Sequence, residues 1–316
     1  MLKKSSLRKI GIGVFCLLIL LILYIFPKNN ANNYIAKTSY KVSNTTDIVY
    51  LIDSNGLVSR INISLTSTNI NDKVLEILEY LTVDGKYKNL LPNGFKAPIP
   101  AGTKVLSSAI EDKCLKINFS NKLLEVDVKD EIKMIESLIY SLTSIDGIDS
   151  ILIFVEDSLL TNLPSSNEML PNPLDRRYGI NKKYDINNIK GTTKTTLFYL
   201  SKNGDFYYYI PVTKISNDKN EKIEIIIKEL TSSPIHETNL MSYLNSEAML
   251  KNYEFVDKSL NLDFNNQILS DITNKSLLEE VTYAINLSIK NNYEIDSVSY
   301  VVDDIKIATF DLKNLE

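Results

Sequence analysis

The sequence predicts an α+β protein with two tandem copies of a small domain, each with helices packed on a mixed sheet, and one N-terminal transmembrane helix. Three repeated features lead to this prediction: a decapeptide, an Asn-Gly turn and a pair of amphipathic helical patterns. The decapeptides are IDSILIFVED at 148–157 and IDSVSYVVDD at 295–304. Helices that bury an apolar stripe against a sheet give the α+β architecture.

An Asn-Gly pair between two apolar-rich runs stands near the start of each copy. The pairs are Asn55-Gly56 and Asn203-Gly204. Because Asn-Gly tolerates the positive φ angles of a type I′ turn, each pair predicts a β-hairpin.

The remaining elements of each copy also recur in the same order. The runs NDKVLEILEYLT and NEKIEIIIKELT carry apolar residues at helical spacing, and KCLKINFSNKLL and KSLNLDFNNQIL alternate as strands do. A second helix precedes each decapeptide, so the predicted order is strand, strand, helix, strand, strand, helix, strand. The apolar helix positions are Val74, Leu75, Leu78 and Leu81, then Ile135, Leu138, Ile139 and Leu142, and in the second copy Ile223, Ile226, Ile227 and Leu230, then Leu278, Val281, Ala284 and Ile285.

The N-terminus combines a basic tail with a long uncharged run at 10–26. As a helix this run rises roughly 26 Å, the short end of a bilayer span. A cleaved signal peptide has a shorter apolar region followed by a small-x-small site, which is missing here. The positive-inside rule places the tail in the cytoplasm and the bulk of the chain outside. We expect an uncleaved single-pass signal anchor in the cell membrane, with a cleaved signal as the alternative.

The domain boundaries follow from these patterns. The prolines and polar residues of the central linker disfavour regular structure, and Arg176-Arg177 are expected to help dock it. The predicted segments are a cytoplasmic tail at 1–9, the transmembrane anchor at 10–26, a spacer at 27–46, domain 1 at 47–157, the linker at 158–194, domain 2 at 195–310 and a C-terminal tail at 311–316.

Composition excludes several classes of protein. The net charge of −4 provides no basic field for nucleic acid. Cys16 lies in the apolar run and Cys114 in the exported part, so a disulfide between them is excluded. The many Asn, Ile and Lys residues and the lack of Trp favour a low-GC Gram-positive bacterium as the source.

The run IPAGTKVLSSAIEDKCLKINFS at 99–120 resembles the signature of the GerMN-domain family of sporulation and spore-germination proteins, in which a Pro-x-Gly-Thr turn opens a strand pair. The strand GIDSILIFVED is similar to the family's closing element. Domain 2 reads SEAMLKNYEF at 246–255 in place of Pro-x-Gly-Thr, so it is a degenerate copy. Phe15 before Cys16 departs from the lipoprotein-like N-terminus of the family's best-known member.

The resemblance implies a non-enzymatic role in sporulation or germination. GerMN domains are similar to ring-building folds that assemble between the mother-cell and forespore membranes. The implied partners are other exported or membrane-anchored proteins, among them sporulation-complex components. No cofactor, metal or catalytic residue is implied.

Several residues invite a chemical interpretation. Glu156-Asp157 and Asp303-Asp304 end the two decapeptides, and neighbours on a strand point to opposite faces, so solvated strand ends are favoured over a cation site. His236 is the only histidine, which excludes a His-rich metal site. Cys114 faces away from the apolar positions of its strand, which favours a small tolerated residue over a nucleophile. A Ser-Lys hydrolase stays open because such dyads have no fixed spacing.

The run Phe206-Tyr207-Tyr208-Tyr209 is the remaining candidate site. Aromatic residues favour strands, and consecutive ones cannot all face a core. Packing in the core and at a sheet edge is the favoured interpretation. A partner-binding face of Tyr207, Tyr208 and Tyr209 is the alternative, since tyrosine is enriched at contact surfaces. With that face, the protein would be a cell-envelope module that binds peptidoglycan or peptide.

Overall fold

The structure, a computed structural model, describes residues 47–232, 239–313 and 315. The predicted tail, transmembrane anchor and spacer at 1–46 lie outside the described residues, as does His236. In the part of the chain that is described, no helix has the length and apolarity needed to cross a membrane.

Fifteen strands and four α-helices form within the described residues. The helices are α1 (Ile70–Leu81), α2 (Glu131–Leu142), α3 (Lys222–Thr231) and α4 (Glu279–Asn292). The strands up to the linker are β1 (Asp47–Ile52), β2 (Val58–Ile63), β3 (Val105–Glu111), β4 (Cys114–Phe119), β5 (Ser150–Val155), β6 (Ser158–Leu159) and β7 (Lys183–Asp185). The later strands are β8 (Thr193–Asn203), β9 (Phe206–Ser216), β10 (Leu250–Val256), β11 (Ser259–Phe264), β12 (Leu269–Asp271), β13 (Ser276–Leu277), β14 (Ser297–Val302) and β15 (Ile305–Asp311).

Each copy contains a mixed sheet, as the sequence predicts, but it has four strands: the N-terminal hairpin lies outside it, and β6 or β15 is added after the decapeptide strand. The strand orders are β3-β4-β5-β6 and β10-β11-β14-β15, and the central pair is parallel in both sheets. Parallel neighbours need a crossover connection, which here contains α2 in one copy and α4 in the other. The alternating residues of the central strands are buried in the core, among them Leu115, Ile117 and Phe119 and their counterparts Leu260, Leu262 and Phe264.

The hairpins of the two copies join in one five-stranded sheet. Strand β9 pairs with β8 along its full length and contacts β2 through an antiparallel bridge between Arg60 and Tyr209. Linker strand β7 pairs in parallel with the end of β9. The tandem domains are therefore continuous through their sheets and form one compact unit over the described residues.

The edge strands β1 and β8 of this shared sheet each make one hydrogen bond to a helix serine, and the two bonds occupy equivalent places in the two copies. The amide of Tyr50 on β1 donates to Ser141 Oγ on α2 at 2.8 Å, and the amide of Phe198 on β8 donates to Ser288 Oγ on α4 at 2.9 Å. Both serines are buried. Since an open sheet edge presents unpaired amides, a helix serine at each edge satisfies one of them. The duplication thus extends from the order of elements to individual hydrogen bonds.

Both Asn-Gly hairpins are confirmed, but the type I′ turn is wrong for each. Within each Asn-Gly pair only the glycine has a positive φ, 78° for Gly56 and 61° for Gly204. In the second hairpin Asn203 pairs with Phe206, so Gly204 is the first central residue of a two-residue turn. Positive φ at the first central residue alone is the type II′ pattern.

Candidate functional site

The tyrosine run lies at the junction of the two domains. Tyr208 and Tyr209 are each only 3% exposed, and Tyr207 is partly exposed. The Tyr208 hydroxyl donates to Asp53 Oδ2, in the domain 1 hairpin turn, at 2.9 Å. Burial raises the pKa of Tyr208 to about 12, so the hydroxyl keeps its proton. Two of the three predicted face residues are thus buried inside the protein, and a partner-binding role stays a prediction for Tyr207 alone.

The tip of the β8–β9 hairpin packs on a loop of domain 1. The Phe95 ring meets the Tyr208 ring edge to face, with centroids 4.8 Å apart, and contacts Phe206 at 5.9 Å. Asn203 Nδ2 donates to the carbonyl of Asn93 at 2.7 Å. Edge-to-face aromatic pairs contribute beyond their buried area. The aromatic run therefore forms part of the contact region between the two domains. We call this region, which also includes linker residues, the joint.

Asn181, in the linker, fills the gap where β2 and β9 diverge. Its Nδ2 donates to the carbonyls of Val58 at 2.8 Å and Pro211 at 2.7 Å. Its Oδ1 accepts the amide of Val58 at 2.9 Å. Because proline has no amide hydrogen, only the carbonyl of Pro211 needs a partner here. The side-chain amide of Asn181 thus makes the hydrogen bonds that the backbone of β2 and β9 would otherwise make to each other at this point.

A buried carboxylate on α2 holds the backbone of Asn181. Glu136 is 2% exposed, and its Oε2 accepts the amide of Asn181 at 3.0 Å. Asn181 has a φ of 45°, a conformation that asparagine tolerates better than most residues. Burial raises the pKa of Glu136 to about 7, against the opposing effects of the Asn181 amide and the Lys182 ammonium. The joint therefore includes a group that titrates near neutral pH.

Arg176 docks the linker against both domains, as expected for this arginine. Its guanidinium donates to Thr143 Oγ1 at 3.0 Å and Ser144 Oγ at 2.8 Å, beyond the end of α2, and to Asn291 Oδ1 on α4 at 3.3 Å. It also lies 5.0 Å from the centroid of the Tyr140 ring. Arg177 is exposed and pairs instead with Asp175. Only the first member of the arginine pair binds across the joint.

A cleft of about 410 Å³ opens beside the joint, and Arg60 forms part of its lining. Arg60 is 4% exposed and has no carboxylate partner among the described residues. Its Nη1 donates to Asn62 Oδ1 at 2.6 Å, and the guanidinium lies 5.8 Å from the centroid of the Tyr283 ring. Its Nη2 is covered and has no hydrogen-bond partner. A covered atom is not offered to a ligand, so we interpret Arg60 as part of the joint.

The acidic pairs are turns, and this corrects their interpretation as strand ends. Glu156 and Asp157 have φ angles of 46° and 63°, and Asp303 and Asp304 have 50° and 62°. Positive φ at both central residues is the type I′ pattern, and β6 and β15 follow directly. Because this backbone is left-handed, the alternation of an extended strand does not apply. Within the described ranges, no group of three acidic, Cys or His residues is placed to hold a metal ion.

Replacing the second acidic pair tests its role as a turn. The double variant Asp303→Asn, Asp304→Gly is expected to raise the free energy of unfolding by about 1 kcal/mol, because Asn-Gly adopts the left-handed conformation with less strain. Urea unfolding measures the change. The reverse-order pair, Asp303→Gly with Asp304→Asn, controls for loss of charge. Lower stability in the first variant would instead assign the carboxylates a role that the turn does not explain.

Cys114 is a free, partly exposed thiol on the outer face of its sheet. It pairs with Glu111 on β3 and with Ser150 on β5. Ser259 holds the same place in domain 2, and its hydroxyl is 2.8 Å from that of Ser297. A small polar residue fits both copies, as the sequence predicts.

Comparison with known proteins agrees with this architecture. Residues 48–161 match the family described as Germane, sporulation and spore germination. Over 273 residues the chain is 31% identical to spore germination protein GerM of Bacillus subtilis (strain 168), covering 85% of this chain and 74% of that protein. The chain belongs to the GerM family.

A solved structure extends the GerM likeness to the fold. The tandem GerMN domains of the sporulation protein GerM from Bacillus subtilis match with a TM-score of 0.77 and 29% identity. The match covers 83% of this chain and 92% of that chain. The predicted family and the tandem α+β domains are thus confirmed, and a role in sporulation or germination follows from GerM membership. The Bacillus relative also fits a low-GC Gram-positive source.

Proposed function

We propose that this GerM-family protein is a membrane-anchored, extracytoplasmic assembly protein without catalysis. The supporting observation is the five-stranded sheet to which both domains contribute. A shared sheet holds the two four-stranded sheets in one mutual arrangement, as a scaffold requires. An anchor at 10–26 would confine this unit to the membrane surface and raise its effective concentration for exported partners.

Strand edges are poorly suited to this assembly. Register shifts interrupt the pairing of β3 with β4, of β10 with β11 and of β14 with β15. Such bulges twist an edge strand and discourage pairing with another chain. The three long edge strands of the four-stranded sheets are all affected. We therefore assign the partner contact to a sheet face.

The outer face of the domain 1 sheet is the better candidate for that contact. Leu152 and Phe154 alternate with buried residues of β5 and are partly exposed. At the equivalent places in domain 2, Ser299 stands for Leu152 and its hydroxyl lies 3.0 Å from that of Thr309. The smaller Val301 stands for Phe154. An apolar face gains more from burial against a partner than a face whose polar groups are already paired. The degenerate second copy would then support the first.

A matched pair of substitutions tests the proposal. In a strain that lacks the gene, the number of heat-resistant, germinable spores is expected to fall, and the unchanged gene should restore it. Phe154→Ser should fail to restore the count, because it removes an apolar contact from the proposed face. Val301→Ser, at the equivalent position of domain 2, should restore it. Both variants must reach wild-type levels in the cell envelope.

Two outcomes would contradict parts of this proposal. Normal spore counts after deletion would exclude the assembly role, and equal behaviour of the two variants would exclude the domain 1 face. The anchor is tested separately by alkaline extraction of membranes, where the protein should stay in the pellet. Recovery in the medium, shortened at its N-terminus, would indicate a cleaved signal peptide.

A further inference from the structure

The end of the linker exposes apolar and basic side chains together. Tyr184, Ile186 and Ile189 are 64%, 37% and 86% exposed. Three lysines beside them, Lys183, Lys190 and Lys194, are exposed as well. These six residues are called the linker patch. A contiguous exposed apolar patch marks an interaction surface more often than single exposed residues do.

A shared cleft brings four of the six residues of the linker patch together. Tyr184, Ile186, Ile189 and Lys194 line one open cleft of about 550 Å³. Pro171 and Pro173 of the same linker form another part of its wall. The apolar groups and one of the lysines therefore meet on one side of the protein.

The three lysines of the linker patch outnumber the one acidic residue of the same segment. Lys183 and Lys190 have no ion pair with any described residue. Lys194 Nζ donates to the carbonyl of Arg177 at 2.9 Å and, against the opposing effect of burial, it lowers the pKa of Asp175 in the same cleft together with Arg177. The acidic residue within the segment, Asp185, pairs with Lys214 on β9 at 2.8 Å. The patch is thus basic on a chain whose net charge is −4.

The acidic residues of the cleft are also occupied. Glu168 accepts the hydroxyl of Tyr178 at 2.8 Å and lies 3.4 Å from Lys182 Nζ. Asp175 pairs with Arg177 and accepts its amide at 2.8 Å. These carboxylates are held within the linker, so they do not reverse the sign of the exposed surface.

We propose that the linker patch contacts an anionic membrane surface. A partly inserted apolar tip with surrounding basic residues is the arrangement of peripheral membrane contacts. Lysines near an anionic surface add an electrostatic attraction that falls off within a Debye length. A protein partner would need a pocket shaped for Ile189 and carboxylates placed for each lysine. A lipid surface accepts both without shape complementarity, and it therefore suits a protruding side chain with long cationic neighbours.

This contact is separate from the proposed anchor and from the assembly face. The anchor is predicted at 10–26, whereas the patch belongs to the linker between the domains. Binding of the patch to lipid would fix the orientation of the two domains above the membrane. Orientation would in turn decide which sheet face is presented to a partner.

The lack of tryptophan in the chain provides a clean test. Ile189→Trp places a single fluorescent reporter in the patch, and Ile272→Trp places one at another site that is 67% exposed. Each full-length variant is reconstituted into vesicles of phosphatidylcholine, with or without phosphatidylglycerol. Any anchoring through 10–26 is common to all samples and cannot distinguish them.

The expected result is specific to one position and one lipid. With phosphatidylglycerol, emission from position 189 should shift to shorter wavelength and be strongly quenched by lipids brominated on their acyl chains. Position 272 should show neither change. Adding Lys183→Gln, Lys190→Gln and Lys194→Gln to the first variant should abolish both effects, while far-ultraviolet circular dichroism stays unchanged.

Three results would overturn the proposal. They are an unshifted reporter at position 189, equal changes at both positions, and equal changes in vesicles without phosphatidylglycerol. A shift produced by an acidic peptide but not by vesicles would assign the patch to a protein partner. None of these readouts depends on spore counts, so the test stands apart from that of the assembly role.

Discussion

Replacing Asn181 by glycine is expected to lower the free energy of unfolding by about 3 kcal/mol. The substitution leaves the amide and carbonyl of Val58 and the carbonyl of Pro211 without their partner. A buried polar group left unpaired costs about 1–3 kcal/mol, and the three costs are not fully additive. Glycine tolerates the φ of 45° at this position, so backbone strain does not contribute.

Asn167 provides the matched control. It belongs to the same linker and has a φ of 54°, but it is exposed and its side chain makes no hydrogen bond. Asn167→Gly is expected to change stability by no more than about 0.5 kcal/mol. Urea unfolding of the full chain measures both variants, and hydrogen exchange at the Val58 amide should speed up only in Asn181→Gly. Equal effects at the two asparagines would show that the side-chain bonds do not hold the joint.

Local patterns explain why much of the fold was predictable. A hairpin, an amphipathic helix and an alternating strand each bury one face, and the period of apolar residues records that face directly. Both copies keep the period even where the residues differ, as with Ile117 and Leu262. The duplication, the α+β class and the helix positions therefore follow from sequence.

The contacts of the joint between the domains have no comparable periodic pattern in the sequence. Tyr208 and Asp53 bond across 155 positions, and Asn181 and Val58 across 123. Asparagine, arginine and tyrosine are also ordinary surface residues, and nothing in their spacing indicates a buried partner. A run of tyrosines that packs between domains and a run that binds a partner have the same sequence pattern.

The acidic turns, by contrast, had a usable signal. Glu156-Asp157 is followed by the apolar run SLL, and Asp303-Asp304 by IKIATF. Two residues between two strand-like runs are the spacing of a two-residue hairpin. The signal is weak because glycine and asparagine, the residues preferred at positive φ, occupy none of the four positions.

Replacing Glu136 by glutamine is expected to stabilise the protein near pH 8 by about 3 kcal/mol. Burial raises the pKa of Glu136 from 4.5 to about 7 in the folded protein. Between these values the unfolded chain releases the proton and the folded protein retains it, so stability falls as pH rises. Below about pH 4.5 both states are protonated and the penalty vanishes. Glutamine still accepts the Asn181 amide and carries no charge, so its contribution does not change with pH.

The dependence of this gain on pH separates titration from a general gain in packing. The difference between Glu136→Gln and the unchanged protein should shrink as pH falls from about 8 to about 4.5, and urea unfolding across this range measures it. Glu76→Gln should behave in the opposite sense. Burial of Glu76 is outweighed by hydrogen bonds from Thr66 and Ser67, which lower its pKa to about 2. Its stabilisation is present above about pH 4.5 and is lost as pH falls toward 2. If the gain for Glu136→Gln were instead constant across this pH range, the carboxyl group of Glu136 would not titrate within it.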